Sequence, residues 1–547
     1  MTELTIVFRL RFAVALTVTL TLLLFALQAR DAVAQEPAAA EYIVQMEAGY
    51  LPSQGQQVVA ELGGQVTTPE LPVINGFGAV LEDDAAEELE SRASVRDVTL
   101  NAATTNGTGT GDETVSGGGR CPLADATTRP SGLGVASTLD RNPLESLSLL
   151  RQPLQTAVRA DKAWLRASGQ GVGVAVVDTG IAGDVPDFGR SGQSRVIASV
   201  VTNPCAKDAT DHVGHGTHIA GLIAGNSLNH PGLKKLTGHY MGIAPKANLI
   251  SVKVSDDDGD TTVLDVIYGL QFVVDHKDTL GIRVVNLSLT SSVAESYLTD
   301  PLDAAVEAAW FAGIVVVAAS GNDGTAADAV SYAPGNDPYV ITTGAMDDRG
   351  STYLGDDTLA LWSSRGLTQD GFSKPEILAP GMRLVAALAP RSDFQDLCRK
   401  CMIGRSYFRL SGTSMATAVT SGSVALMLEK RPNLTPNQVK GALVATRRDV
   451  PGVGAVVDAN AALDGTGTAN GGLVPSTLID PQTGQIDWSR ASFRRASFRD
   501  ASGSPFGALW TRVSFRCDCG LDASGQVDSA RVSFRRVSFR RNVDFDR

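Results

Sequence analysis

The sequence predicts a doubly wound α/β domain over about residues 140–465, a mostly parallel sheet with helices on both faces, preceded by a small α+β unit of order βαββαβ. Three observations carry this. Near-continuous apolar runs recur at Val172–Val177, Leu249–Val254, Arg283–Leu289, Ile314–Ala319 and Tyr339–Thr343. Strands covered by helices on both sides read this way, because neither face meets water. Helical stretches fall between them, at Val263–His276 and Leu302–Ala312, the alternation expected of a parallel sheet with crossover helices. A composition of 43% hydrophobic and 19% charged residues supports a large core and excludes a wholly disordered or fibrous chain.

Taken in order, the chain opens on Arg9 and Arg11, an apolar run from Phe12 to Leu27, and Ala32-Val33-Ala34. A basic start, an apolar stretch and an A-x-A site read as a secretory signal peptide cut after Ala34, with an uncleaved anchor as the alternative. Export to the outside of the cell follows. Residues 35–105 hold the small unit: strands at Tyr42–Met46, Gln65–Thr68, Ile74–Leu81 and Val95–Leu100, and helices at Ser53–Leu62 and Asp83–Ser91. Residues 106–139, with Gly117-Gly118-Gly119, read as a linker and the start of the following body.

Past about residue 465 the composition changes. From Asp487 to Arg547 there are 12 Arg, no Lys and 7 Asp, a charge of +5, so the rest of the −12 chain carries −17. The acidic body excludes a generic nucleic-acid binder. The 466–547 region repeats a unit at Ala491–Arg494, Ala496–Arg499, Val513–Arg516, Val532–Arg535 and Val537–Arg540, each small-Ser-Phe-Arg. Neighbouring copies five residues apart put successive Phe on different faces of either a helix or a strand, which argues against an amphipathic element. A weakly ordered appendage is one reading; a cationic anchor to anionic cell-surface polymers, leaving the protein envelope-associated, is the sharper one.

Three short motifs occupy the places such a fold uses for chemistry, the carboxyl ends of strands and the starts of helices. Gly173-Val-Ala-Val-Val-Asp178-Thr-Gly180 ends a core strand in an acid. Gly214-His215-Gly-Thr-His218 places a histidine before a small-residue helix, and Gly412-Thr-Ser414-Met-Ala416 starts the long apolar helix running to about Lys430 with a serine. A serine hydroxyl is a poor nucleophile at neutral pH. A histidine can take its proton and pass it to the leaving amine, and an aspartate can fix the imidazole tautomer. Singly, each residue also reads as a turn or cap.

The order Asp, His, Ser along the chain resembles that of subtilisin-like serine proteases. The resemblance covers roughly Ala163 to Leu463, and the preceding unit resembles the family's inhibitory propeptide. It implies Ser414 as nucleophile, His215 as base and acid, and Asp178 as orienting group, with no cofactor for the chemistry. Val315-Val-Val-Ala-Ala-Ser-Gly321-Asn322 looks like the family's strand ending in the oxyanion asparagine, so Asn322 is implied as an oxyanion donor beside the Ser414 backbone N–H. Ser288, Leu289 and Thr290, and Ala319, Ser320 and Gly321, match the two segments that pair with peptide substrate as an added strand. His218 is given no catalytic role. Two departures stand out: Ala418 replaces the family's proline after the serine motif, and Arg391–Leu410 fits no family pattern.

The specificity pocket is expected near Ser331, before Tyr332-Ala-Pro334, neutral at its base and suited to apolar or aromatic side chains. Asp256-Asp-Asp-Gly-Asp260 invites calcium but lacks the rest of a twelve-residue loop, so a solvated acidic turn is the preferred reading. Structural calcium elsewhere is what the resemblance allows, and no other metal is assigned. The six cysteines, Cys121, Cys205, Cys398, Cys401, Cys517 and Cys519, are expected in structural disulfides of open pairing rather than a metal or redox site. The expected whole is a secreted serine endopeptidase made as a self-processing zymogen, acting on proteins or peptides and bound by its own propeptide. An inactive protease-like surface protein acting through its basic tail is the reading from another class.

Overall fold

The computed structural model describes residues 39–477, except 48, 69, 71–74, 102–103, 106–146, 191–192 and 229–235. The expected signal peptide, Cys121, the linker at 106–139 and everything after Thr477, including the repeats with Cys517 and Cys519, lie outside the described residues.

The small unit comprises β1 (Ala40–Met46), α1 (Pro52–Glu61), β2 (Gln65–Val66), β3 (Gly76–Leu81), α2 (Asp83–Glu90) and β4 (Val95–Leu100), the βαββαβ order read from the sequence. Its antiparallel sheet runs β2-β3-β1-β4. Val44, Met46, Val59, Phe77, Leu81 and Leu89 form its own core. A short β5 (Thr104–Thr105) follows.

The body continues with β6 (Gly173–Asp178), β7 (Val196–Val201), α3 (His215–Ala224), β8 (Asn248–Lys253), α4 (Val263–Asp275), β9 (Ile282–Leu287), β10 (Thr290–Ser291), α5 (Pro301–Phe311), β11 (Val315–Ala319), β12 (Ile341–Asp347), β13 (Ile377–Pro380), β14 (Leu384–Ala387), β15 (Met402–Ile403), β16 (Tyr407–Leu410), α6 (Thr413–Lys430), α7 (Pro436–Ala445), β17 (Arg448–Val450) and β18 (Gly454–Val456). The main sheet runs β17-β18-β13-β12-β11-β9-β6-β8-β7. Every pair from β7 across to β18 is parallel; the β17–β18 edge is antiparallel, as is a short strand, Thr358–Leu359, that pairs with the end of β12. Strands β6 and β11 are buried along their whole length, which is why they read as unbroken apolar runs. After β6 the chain crosses to the outer strand β7, returns to β8 beside β6, and then resumes on the other side of β6 with β9. That reversal leaves a crevice beyond the carboxyl end of β6.

The 18-residue α6 is buried from Thr413 to Leu428 and packs against α3, β9 and β12. Ala418 does not interrupt it; its small side chain is fully buried. Arg391–Leu410, unplaced by the sequence, folds into a turn stapled by a Cys398–Cys401 disulfide and a three-stranded sheet of order β14-β16-β15. Cys205 is disulfide-bonded too. No helix among the described residues is long and apolar enough to cross a membrane.

Residues 466–477, grouped by the sequence reading with the C-terminal region, lie across the body. The Asn470 amide donates to the Tyr339 carbonyl (2.9 Å), the Tyr339 and Tyr297 hydroxyls donate to the Leu473 and Val474 carbonyls (3.0 and 2.8 Å), and Ser476 N–H donates to the buried Glu307 carboxylate (2.8 Å). A chain ended after Gly465 would lose these four hydrogen bonds, each worth about 0.5–1.5 kcal/mol. We expect its thermal midpoint to fall by about 5–10 °C relative to a chain ended after Thr477. Equal midpoints in calorimetry would show that the strap contributes nothing.

Candidate active site

Asp178 is the last residue of β6, and Ser288 and Ser320 follow directly on β9 and β11. Because β6, β9 and β11 are neighbours and parallel, all three positions come out on one edge of the sheet. His215 is the first residue of α3, and Ser414 the second of α6. Gly214 makes the entry to α3 possible. Its φ is +107°, and a Cβ there would lie 2.8 Å from the Ser392 hydroxyl. A Cβ on Gly216 would run into the Gly180 carbonyl, so this glycine lets α3 close onto the β6 exit.

His215 Nδ1 and Asp178 Oδ1 are 2.7 Å apart, and both side chains are buried. Burial alone would lower the His215 pKa; the charge of Asp178 and its hydrogen bond outweigh that and raise it above the ordinary value. His215 therefore uses its Nδ1 side for the aspartate and presents Nε2, which has no hydrogen-bond partner among the described residues. Ser414 Oγ donates to the Ser288 carbonyl at 3.2 Å. The structure thus joins Asp178 to His215 and brings Ser414 to Ser288, but makes no hydrogen bond between Ser414 and His215. Such contacts commonly tighten only with substrate in place.

Asn322 lies just past β11. Its Oδ1 accepts from the backbone N–H and the hydroxyl of Thr413, at 3.0 and 3.1 Å. With the oxygen committed to the residue beside Ser414, the donor half of the amide is Nδ2, the half an oxyanion requires. Gly321 before it has φ +96°, and a Cβ would meet Ser364 Oγ at 2.9 Å.

The sequence reading missed the residues that hold this arrangement. Buried Asp211 accepts from the Thr179 hydroxyl (2.9 Å), Gly214 N–H (2.7 Å) and Thr217 N–H (2.8 Å), clamping the β6 exit to the start of α3. Ser421 donates to Asn286 Oδ1, Asn286 Nδ2 donates to Ser288 Oγ, and Ser288 Oγ donates to the Ser414 carbonyl, pinning α6 beneath β9. Asp211 stands four residues before His215 and could have been suspected; the Ser-Asn-Ser relay depends on tertiary distance and leaves no local signal. His218 bonds the Phe408 carbonyl, and burial, then the charge of His215, lower its pKa to about 3, which suits the non-catalytic place it was given.

Of the expected substrate segments, Ser288, Leu289 and Ser320 are buried, and Thr290 begins β10. Strand β10 pairs antiparallel with β5, Thr105 opposite Thr290 and Thr104 opposite Ser291. Opposite them, Ser291 N–H donates to the Ala333 carbonyl (2.6 Å) and Ala294 bridges Tyr332, so Tyr332 and Ala333 form a wall beside β10. The Asp256–Asp260 turn closes on itself: Asp256 Oδ1 accepts from Asp258 and Asp260 N–H. Burial, then the charges of Asp256 and Asp258, push the Asp260 pKa up to about 8. No group of three or more acidic, histidine or cysteine side chains among the described residues is arranged to hold a metal ion.

Residues 169–467 match the profile of the subtilase family. The serine protease AprX of Bacillus subtilis (strain 168) is 40% identical over 278 residues, 50% of this chain and 60% of its own length. Subtilisin DY of Bacillus licheniformis is 30% identical over 292 residues, 53% of this chain and 88% of its own. Among solved structures, fervidolysin from Fervidobacterium pennivorans, a keratinolytic enzyme related to subtilisin, superposes with TM-score 0.56 at 25% identity, covering 79% of this chain and 62% of its own. The chain therefore spans less than two thirds of AprX and of fervidolysin.

Proposed function

The chain belongs to the subtilase family of serine proteases, and we propose that it is an exported endopeptidase that cuts peptide bonds through a Ser414 acyl-enzyme and is made as a self-processing zymogen. The observation that carries this is the 2.7 Å Asp178–His215 pair at the same sheet edge as Ser414 and the anchored Asn322. In the reaction, Ser414 Oγ attacks the scissile carbonyl carbon while His215 Nε2 takes its proton. The oxyanion is met by Asn322 Nδ2 and the Ser414 backbone N–H. His215 then gives its proton to the departing amine, and water, deprotonated in the same way, releases the acid. The chemistry needs no cofactor.

Substrate would lie as an added strand along Ser288–Thr290 and Ala319–Gly321, since β10 already accepts β5 in that manner. The wall of Tyr332 and Ala333 suits apolar or aromatic side chains. Residues 35–105 would be the inhibitory propeptide and 106–139 the linker, with the peptidase body following. The leader would send the chain out of the cell, and the basic tail would tether it to anionic envelope polymers.

A serine-directed fluorophosphonate should label Ser414 and stop hydrolysis; labelling elsewhere with loss of activity would sink the assignment. Asn322→Ala should lower turnover by about 10²–10³, the size measured at the equivalent donor of subtilisin itself, with little change in KM. A variant that raised KM alone would place Asn322 in ground-state binding instead.

A further inference from the structure

We propose that the 40–100 unit is a pH-dependent inhibitor, retained on the body in acid and released towards alkaline pH through two buried carboxyls, Glu41 of the unit and Asp265 of the body, on either side of the Asn101–Leu264 contact. The proposal rests on the reading of this unit as the propeptide and adds the condition for its release.

Ile43 of β1 belongs to the same buried cluster as Leu264 of α4, and a Cβ on Gly78 of β3 would meet Leu264 Cδ1 at 2.7 Å. A polar relay runs through the contact. The Asn101 amide nitrogen donates to Glu41 Oε2 at 2.6 Å, and Leu264 N–H, in the first turn of α4, donates to Asn101 Oδ1 at 3.1 Å. Asn101 N–H also donates to the Glu41 carbonyl, so Glu41 fixes the residue that grips the helix. Glu41, Asn101, Leu264 and Asp265 are all at most 5% exposed.

The charges on both sides are of one sign. Glu41 Oε2 is served by Asn101 of its own unit, and Oε1 has no hydrogen-bond partner among the described residues. Asp265 is served by Thr262, whose N–H and hydroxyl donate to its Oδ2, and by the Asn203 amide; the ionisable groups acting on it are Glu41 and Asp256. Among the described residues, the side-chain hydrogen-bond partners of the two carboxyls are Asn101, Thr262 and Asn203, all neutral. Burial, only partly offset by Thr67 and Asn101, raises the Glu41 pKa to about 7, and burial raises that of Asp265 well above the ordinary value.

The sign follows. In the free unit Glu41 meets water and titrates near its ordinary value, so docking takes up a proton between about pH 4.5 and 7. Glu41 is neutral in the docked state at low pH and must ionise beside Asp265 as the pH rises through neutrality. Stability of the docked state is fully present below the ordinary carboxyl range and is lost as pH climbs through 7. The dissociation constant should rise by up to about tenfold per pH unit across that window.

The test uses the processed wild-type protein with its two pieces left together. Gel filtration should retain the 40–100 unit on the body at pH 5 and lose it by pH 9, while Glu41→Gln retains it throughout. Equal retention of the wild type at both pH values, or release of Glu41→Gln with an unchanged midpoint, overturns the proposal. If the chain fails to process itself, the protease reading fails, not this one. The uncut Ser414→Ala chain then serves: protection of the Leu264 amide from hydrogen exchange, corrected for the intrinsic rate, should fall between pH 6 and 8 and hold steady in Ser414→Ala/Glu41→Gln. Constant protection in the uncut wild-type interface would also overturn the proposal.

Discussion

Ser414→Ala is expected to lower peptide turnover by about 10⁶-fold, the size measured for subtilisin's own nucleophile, and to leave the exported chain uncut. Removing Oγ removes the atom that forms the acyl bond, and neither His215 nor the oxyanion donors can substitute for it. The fold should survive. Ser414 lies in the first turn of a buried helix, and alanine is the better helix former. The hydrogen bond that goes with Oγ, 3.2 Å to the Ser288 carbonyl, is worth about 1 kcal/mol. The variant's thermal midpoint should therefore lie within a few degrees of the parent. Self-cutting gives the sharper readout. Strand β5 pairs Thr105 with Thr290, and Ser288, which touches Ser414, is two residues back from Thr290. In an antiparallel ladder the facing chain advances as the other retreats. The new amino terminus of the wild-type body is therefore expected within about five residues after Thr105, since each residue of a strand advances only about 3.4 Å. Amino-terminal sequencing of the wild type and intact mass of Ser414→Ala check this together. An identical cut in Ser414→Ala, made in a host without other extracellular proteases, would mean another nucleophile does the work.

Why some of this was legible in the sequence and some was not has a physical basis. β6 and β11 were readable because both their faces are buried and nearly every position is apolar, while β8 and β9, though they carry Ser251, Lys253, Arg283 and Asn286, keep enough apolar positions to join the pattern. β7, though equally apolar as Val-Ile-Ala-Ser-Val-Val, sits at the sheet edge between polar loops and did not join the pattern. β13 is four residues ending in Pro380, too short to show a period. The β14-β16-β15 sheet depends on pairings across Arg391–Leu410 that no local pattern announces. The triad residues were legible because each sits where a strand ends or a helix begins, flanked by the glycines that those tight approaches need. The pairs Thr179–Asp211, Asn322–Thr413 and Asn286–Ser421 span 32, 91 and 135 residues and came only with the coordinates. The Glu41–Asn101–Leu264 relay is of the same kind: a glutamate in a strand looks like a solvated residue until the other surface arrives.

Asp178→Asn is expected to cost about 10⁴ in turnover while leaving KM nearly unchanged, and to move the acid limb of the pH profile downward. Two effects of one atom are separable here. The first is tautomer. Asp178 Oδ1 can only accept, so it holds the proton of His215 on Nδ1 and leaves Nε2 as the base facing Ser414. An asparagine can turn its NH₂ toward Nδ1, putting the proton on Nε2, where it cannot accept from the serine; the corresponding change in a chymotrypsin-like enzyme costs a comparable factor. The second is charge. The His215 pKa stands above its ordinary value because the Asp178 charge and hydrogen bond overcome a burial that would lower it. Without that charge, burial prevails and the pKa falls. His215 acts as a base only when neutral, so wild-type activity should rise as pH climbs through the raised pKa, and the variant's residual activity should begin its rise at a lower pH. The structural cost should be modest: Thr179 N–H donates at 2.7 Å to the same Oδ1 that faces Nδ1, so turning the NH₂ toward His215 gives up one hydrogen bond, about 1 kcal/mol. Turnover and kcat/KM measured from pH 5 to 10 on one peptide, with fluorophosphonate labelling rates in parallel, decide the matter. A large loss of turnover with an unmoved acid limb would mean Asp178 works through orientation alone. An acid limb moved upward would contradict the electrostatic reading of the pair.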